Sequence, residues 1–246
     1  MTLGTPPGTL VPPALASRQA TVTSPAAAIR PAAAAPISPG ASVSPAAATT
    51  GLVLWLVRHG ESTWNSLGLA QGHCDQPRLT ALGARQARYV ASQLRGRPIG
   101  ALYASDLQRA VATAAPLAAT LGLDITRDVR LRERSLGILE GTAAVAVPAA
   151  LSGVAGSYVI DPDAWPPDGE SLRDLYRRVA DFADDLLATG APGEAAVVAH
   201  GGTLRVLTAY LRGVPVERMS WEPVANGSVV RLPSQSDRLF TRKERR

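Results

Sequence analysis

Leu52 Val53 Leu54 Trp55 Leu56 Val57 is a short apolar run that stops at Arg58 His59 Gly60 Glu61. A strand of this kind ends by presenting a cation, an imidazole and a flexible residue at one edge of a sheet. Open α/β sheets place their ligands beyond the carboxyl ends of their strands, so the junction delivers His59 to the place where a site forms. A second run repeats the pattern. Ala195 to Ala199 reads as a buried strand and ends in His200 Gly201 Gly202, with a helix expected from near Thr203. If both strands run in parallel in one sheet, His59 and His200 leave the same edge and face each other.

The chain between these junctions alternates short apolar strands with amphipathic helices, which predicts an α/β, three-layer sandwich with a mostly parallel central sheet flanked by helices. A polar loop runs through Gly72, followed by a helix over about Thr80 to Arg95 with Thr80 as cap. Ile99 to Tyr103 reads as a strand, and Ser105 and Asp106 are expected to cap a helix over Leu107 to Thr120, which Pro116 shortens or bends. Leu172, Leu175, Val179, Phe182 and Leu186 recur at spacings of three and four, giving a long helix over about Ser171 to Thr189.

The ends differ from this middle. The first 50 of 246 residues hold nine of the 20 prolines, many alanines and only two charges, Arg18 and Arg30. Such a segment buries too little apolar surface to offset its ordering entropy, so residues 1–50 are expected to be a disordered Pro/Ala-rich tail. The same bias gives the expectation that native translation starts close to Gly51. Residues 51–234 then form one domain, and residues 235–246 a basic tail. Two cations at the start and a net +4 in the last nine residues exceed the whole +5, leaving −1 between them. That near-neutral domain argues against a specific nucleic-acid partner. No apolar stretch reaches membrane-spanning length, and the start lacks the charged and apolar regions of a secretory signal. Cytoplasm is the expected location, which suits the single cysteine, Cys74.

Two arginines suggest the ligand. Arg58 precedes one histidine, and Arg109 falls in the first turns of the helix after the Ile99 to Tyr103 strand. A guanidinium fork donates paired hydrogen bonds and stays charged at any working pH, and helix amino termini add backbone donors. Together they suit a phosphate dianion.

At these residues the chain resembles the histidine phosphatase superfamily, with its phosphoglycerate mutase-like fold, and in particular the small broad-specificity phosphatase branch. Leu56 to Thr63 resembles the family signature; Trp64, Asn65, Gln71 and Gly72 its phosphate and substrate loop; and Leu79 to Ala87 the helix that follows. Ser105 to Ala110 carries the second arginine, and Leu131 Arg132 Glu133 with Gly137, Glu140 and Gly141 is similar to the acid-bearing segment. Asp168 to Ser171 resembles a helix entry, and Val198 to Gly202 the second histidine.

The resemblance implies a phosphomonoesterase that hydrolyses small phosphorylated metabolites through a phosphohistidine on His59. His59, Glu133 and His200 would be catalytic, with Glu133 as general acid and base. Arg58, Arg109, Asn65, Gly72 and Gly201 would bind substrate. Neither cofactor nor metal is implied, and oligomeric state is open. Adjacent cations are expected to keep the His59 imidazole neutral. Other readings stand beside these. Glu133, set among Arg130, Arg132 and Arg134, has the setting of a surface ion pair, and Glu61 is a weaker alternative acid. Gln71, Gly72 and His73 would line the entrance, although His73 equally suits a solvated loop, and Cys74 a small buried filler. The uncharged stretch 142–160 is expected to cap the mouth and to suit an alcohol that is not highly anionic. Mutase-type phosphoryl transfer and a non-catalytic phosphate-binding module are the alternatives. A metallohydrolase would need HExxH, HxH or paired cysteines, none of which occurs.

Overall fold

The computed structural model describes residues 51–148, 161–189, 193–219 and 222–233. The tails expected at 1–50 and 235–246, and most of the expected cap, lie outside the described residues. Those described belong to one compact unit, Ser44–Arg246. Five strands, β1 (Val53–Arg58), β2 (Ile99–Ala104), β3 (Ile125–Arg127), β4 (Glu194–Ala199) and β5 (Val229–Leu232), form one sheet in the order β3-β2-β4-β1-β5. The first four run parallel and β5 pairs antiparallel with β1. In the register of β1 against β4, Arg58 lies opposite Ala199, so the two residues that follow, His59 and His200, leave neighbouring strands at one level.

Side chains alternate across a strand, and the two cores follow from that alternation. Val53, Trp55 and Val57 pack with Ala196 and Val198 against α2 (Ala81–Leu94) and α3 (Gln108–Leu121). Leu54 and Leu56 pack with Ala195, Val197 and Ala199 against α4 (Leu172–Ala188) and α5 (Gly201–Leu211). The result is helices on both faces of a mostly parallel sheet. Phe182, Leu175 and Leu186 on α4 are all buried in the second core, each contributing about 1.5–3 kcal/mol of transfer free energy.

Several local signals act as their residue types suggest. Thr80 accepts from the Gly83 N–H at the start of α2, and Ser171 with Asp174 forms a reciprocal capping box on α4. Others differ. The cap of α3 is Leu107, whose own side chain makes no cap bond; the Ser105 hydroxyl meets the Leu107 N–H and His200, and Asp106 pairs with Arg132. Pro116 lies inside α3, which continues to Leu121. α5 begins at Gly201, with His200 itself in the cap position, rather than at Thr203. β3, β5 and the one-turn α1 (Thr63–Ser66) were not anticipated from the sequence. Among the described residues, no helix is long and apolar enough to cross a membrane.

Candidate active site

His59 follows β1 and is almost fully buried. The loop beyond it closes tightly on the first turn of α2: a methyl group on Gly60 would collide with the Gly83 carbonyl, and one on Gly83 with the Glu61 carbonyl. The Gly60 N–H donates to Oγ1 of Thr113 at 3.0 Å, and that hydroxyl donates in turn to the Arg109 carbonyl. Nδ1 of His59 lies 2.8 Å from the Gly60 carbonyl. A carbonyl only accepts, so Nδ1 carries the proton and Nε2 is left with its lone pair. Burial first, and then the Arg109 and Arg58 cations, hold this imidazole well below the ordinary histidine range. The expectation of a neutral ring agrees with this, but desolvation outweighs the neighbouring charges.

His200 faces it, with ring centroids 5.1 Å apart and planes inclined by 60°. Its Nε2 lies 2.9 Å from Oγ of Ser105, which already accepts from the Leu107 N–H. With Nε2 accepting the Ser105 proton, His200 carries its own proton on Nδ1, the tautomer that offers a donor to an anion. Burial is again the first cause of a strongly lowered affinity for a second proton, followed by Arg109.

The arginines are anchored on one side and unpaired on the other. Arg109 donates from Nη1 to the Cys74 carbonyl and from Nη2 to the Gly72 carbonyl, each at 2.8 Å. Arg58 donates from Nη1 to the Val224 carbonyl. Nε of Arg58, Nε of Arg109 and Nδ1 of His200 are buried without a hydrogen-bond partner, three of the five such atoms among the described residues. An unsatisfied buried donor costs about 1–3 kcal/mol, so three such nitrogens on residues lining one cavity make it suited to an anion.

Glu133 lies on the coil between two 3-10 turns, Val129–Leu131 and Gly137–Leu139. Its neighbouring cations are engaged elsewhere: Arg130 with Asp128 and Asp185, Arg132 with Asp106, and Arg134 with the carbonyls of Glu170 and Ala164. These three guanidinium groups therefore do not form the surface ion pair that was the competing reading of Glu133. Its carboxylate accepts instead from the backbone N–H groups of Gly202 at 3.0 Å and Arg134 at 2.9 Å. A methyl group on Gly202 would collide with Oε1 of Glu133, so the glycine is what admits the acid to the first turn of α5.

Arg58, His59, Asn65, Gln71, Gly72, Arg109, Glu133 and His200 line one cavity of about 300 Å³, together with Arg134, Gly202 and Arg205. Leu69, Ala70, Leu136, Ala144, Val147 and Pro148 form an apolar wall, so the described start of the expected cap does border the site. Asn65 is oriented by its carbonyl, which accepts from the Ser62 N–H and from Nδ2 of Asn226, leaving its amide nitrogen as the donor. Some expected residues lie elsewhere. Gly201 is buried under the Arg58 guanidinium, and Gly202 takes its place on the cavity wall. Glu61 accepts from the Thr80 hydroxyl and does not line the cavity. His73 is also outside it, 3.9 Å from Glu170, and Cys74 is half-buried rather than a core filler. Thr113, Ser105 and Asn226 support the site and were not singled out for it from the sequence. Among the described residues, no group of three or more His, Cys, Asp or Glu side chains could hold a metal ion.

Comparison with known proteins places the chain in a family. A structure of the mycobacterial glucosyl-3-phosphoglycerate phosphatase with VO3 is 32% identical, covers 73% of this chain and 92% of its own, and superposes with a TM-score of 0.66. A putative α-ribazole-5′-P phosphatase from Escherichia coli is 29% identical, with 75% and 91% covered and a TM-score of 0.66. The probable phosphoglycerate mutase GpmB of Yersinia enterocolitica is 36% identical over 172 residues, which are 67% of this chain and 76% of that protein. The family model of the histidine phosphatase superfamily, branch 1, matches residues 54–243, and the chain belongs to that superfamily.

Proposed function

We propose that the protein is a phosphomonoesterase acting on small phosphorylated metabolites through a phosphohistidine on His59. The observation that carries this reading is one cavity lined by His59, Arg58, Arg109 and His200, the last three of which each hold a buried nitrogen without a hydrogen-bond partner. Nε of Arg58, Nε of Arg109 and Nδ1 of His200 hold the peripheral phosphoryl oxygens, with the Asn65 amide as a fourth donor, and stabilise charge during transfer. Nε2 of His59 forms the N–P bond while the ester P–O bond breaks, and the departing oxygen takes a proton from Glu133. A water oxygen then attacks phosphorus and gives its proton to Glu133. The N–P bond breaks, returning the lone pair to His59, so that inorganic phosphate and the starting enzyme remain.

Hydrolysis is favoured over transfer by the short span of the domain, and the apolar wall suits an alcohol with few charges. The name of the Yersinia relative supports mutase-type transfer as the second reading. A phosphomonoester panel assayed in chelator, with His59→Ala beside the parent, tests the proposal. Release of inorganic phosphate by the parent alone is expected. Isomerisation of a phosphoglycerate without phosphate release would favour the second reading, and equal rates for both proteins would end the first.

A further inference from the structure

We infer that Arg178, with Glu170, is a positioning device for the Glu133 carboxyl. The inference rests on the reading of Glu133 as proton donor. Glu133 lies on a segment without helix or strand ladder, yet a general acid must be held to within about 0.5 Å of its working position. Arg178 reaches this segment from α4, 45 residues away in the chain. Nη1 donates to the carbonyls of Arg130 at 2.7 Å and Arg132 at 2.8 Å, and Nη2 donates to the carbonyl of Glu133 itself at 2.8 Å. The remaining two donors, on Nε and Nη2, go to the Glu170 carboxylate. All five N–H groups of the guanidinium are thus used, three of them on backbone carbonyls within residues 130–133.

Glu170 completes the clamp from the other side. Its Oε1 accepts from the Ser135 N–H at 2.9 Å, its own N–H donates to the Ser135 carbonyl, and its carbonyl accepts from Nε of Arg134. Residues 130–135 are therefore gripped at both ends of the acid by one ion pair. Neither side chain lines the cavity, so their action on the reaction passes through Glu133. A lysine cannot take over, because an ammonium has three donors and no planar fork.

The test compares Arg178→Lys, Glu133→Gln and the double variant on an alkyl phosphate and on a dinitrophenyl phosphate, whose leaving group needs no proton. Arg178→Lys is expected to lower kcat about tenfold or more on the alkyl ester and to leave the aryl ester within about twofold. In the double variant its effect on the alkyl ester should vanish, since Glu133→Gln has already removed the group it positions. Equal losses on both esters, or additive losses in the double variant, would overturn the positioning role while leaving Glu133 as the acid. A Glu133→Gln variant with no leaving-group preference would instead sink the acid, and the inference with it. Glu170→Gln, which keeps the shape and weakens the clamp, gives the same decision should Arg178→Lys not fold.

Discussion

The Ser105 hydroxyl lies 2.9 Å from Nε2 of His200 and joins the end of β2 to the end of β4. That contact suits the tautomer with the proton on Nδ1, in which Nε2 accepts the serine proton while the same hydroxyl accepts from the Leu107 N–H. It aims the Nδ1 proton of His200 as a donor for a phosphoryl oxygen.

Ser105→Ala should therefore weaken binding of phosphate or vanadate and lower kcat/KM by about tenfold, the scale of one lost hydrogen bond to a buried partner. Thermal stability should fall only modestly. Unchanged kinetics would show that His200 is oriented without the serine.

Acid should unfold this protein earlier than its carboxylates alone would. His59 and His200 have folded pKa values well below the 6.5 of an unfolded histidine. Between those values the unfolded chain holds more protons than the folded one, so stability falls as pH drops below about 6.5. Each ring adds a slope of up to about 1.4 kcal/mol per pH unit, and the half-buried His73, shifted the same way, adds less. Denaturant titrations between about pH 7 and about pH 5 should show the loss, with a shallower slope in His59→Ala. A flat profile in the parent would mean that the buried rings are charged.

Gly83→Ala should be destabilising although it lies in the first turn of α2, where alanine is ordinarily worth about 1 kcal/mol more than glycine. Its methyl group would meet the Glu61 carbonyl and push the loop that carries His59. A loss of about 1–3 kcal/mol in stability is expected, with a fall in kcat. A rise in melting temperature would refute the close packing.

Asn226 spans two parts of the site: one amide nitrogen donates to the His59 carbonyl at 3.0 Å and to Oδ1 of Asn65 at 3.1 Å. Asn226→Asp replaces that donor with an acceptor facing two acceptors. A rise in KM and a drop in kcat of about tenfold or more are expected in steady-state assays, with the fold intact by circular dichroism. Activity within about twofold of the parent would assign Asn226 to the loop alone.

The sequence made the two histidine junctions legible because each is a strand, a reactive side chain and a glycine in immediate succession, as at Val57 to Gly60 and Ala199 to Gly201. The amphipathic α4 was equally plain from its spacing. β3 spans three residues, largely exposed, and β5 buries only its last residue, Leu232, so neither carries an apolar pattern. Ser105 read as a helix cap because sequence shows a hydroxyl beside a helix, and it hides the second partner, His200, 95 residues away. Arg178 and Asn226 act on backbone carbonyls far along the chain, and a carbonyl leaves no trace in residue identity. Gly202 looked like its neighbour Gly201 until the place of the Glu133 carboxylate separated them.

The central claim is that His59 takes up the phosphoryl group covalently. Rapid acid-free quenching of the enzyme with a radiophosphate-labelled ester, followed by peptide mapping, tests it most directly. A base-stable, acid-labile label on the peptide bearing His59, absent from His59→Ala and accumulating in Glu133→Gln when an activated aryl ester is the donor, is the predicted result. A turning-over enzyme that carries no label, or carries it on any other residue, would contradict the account.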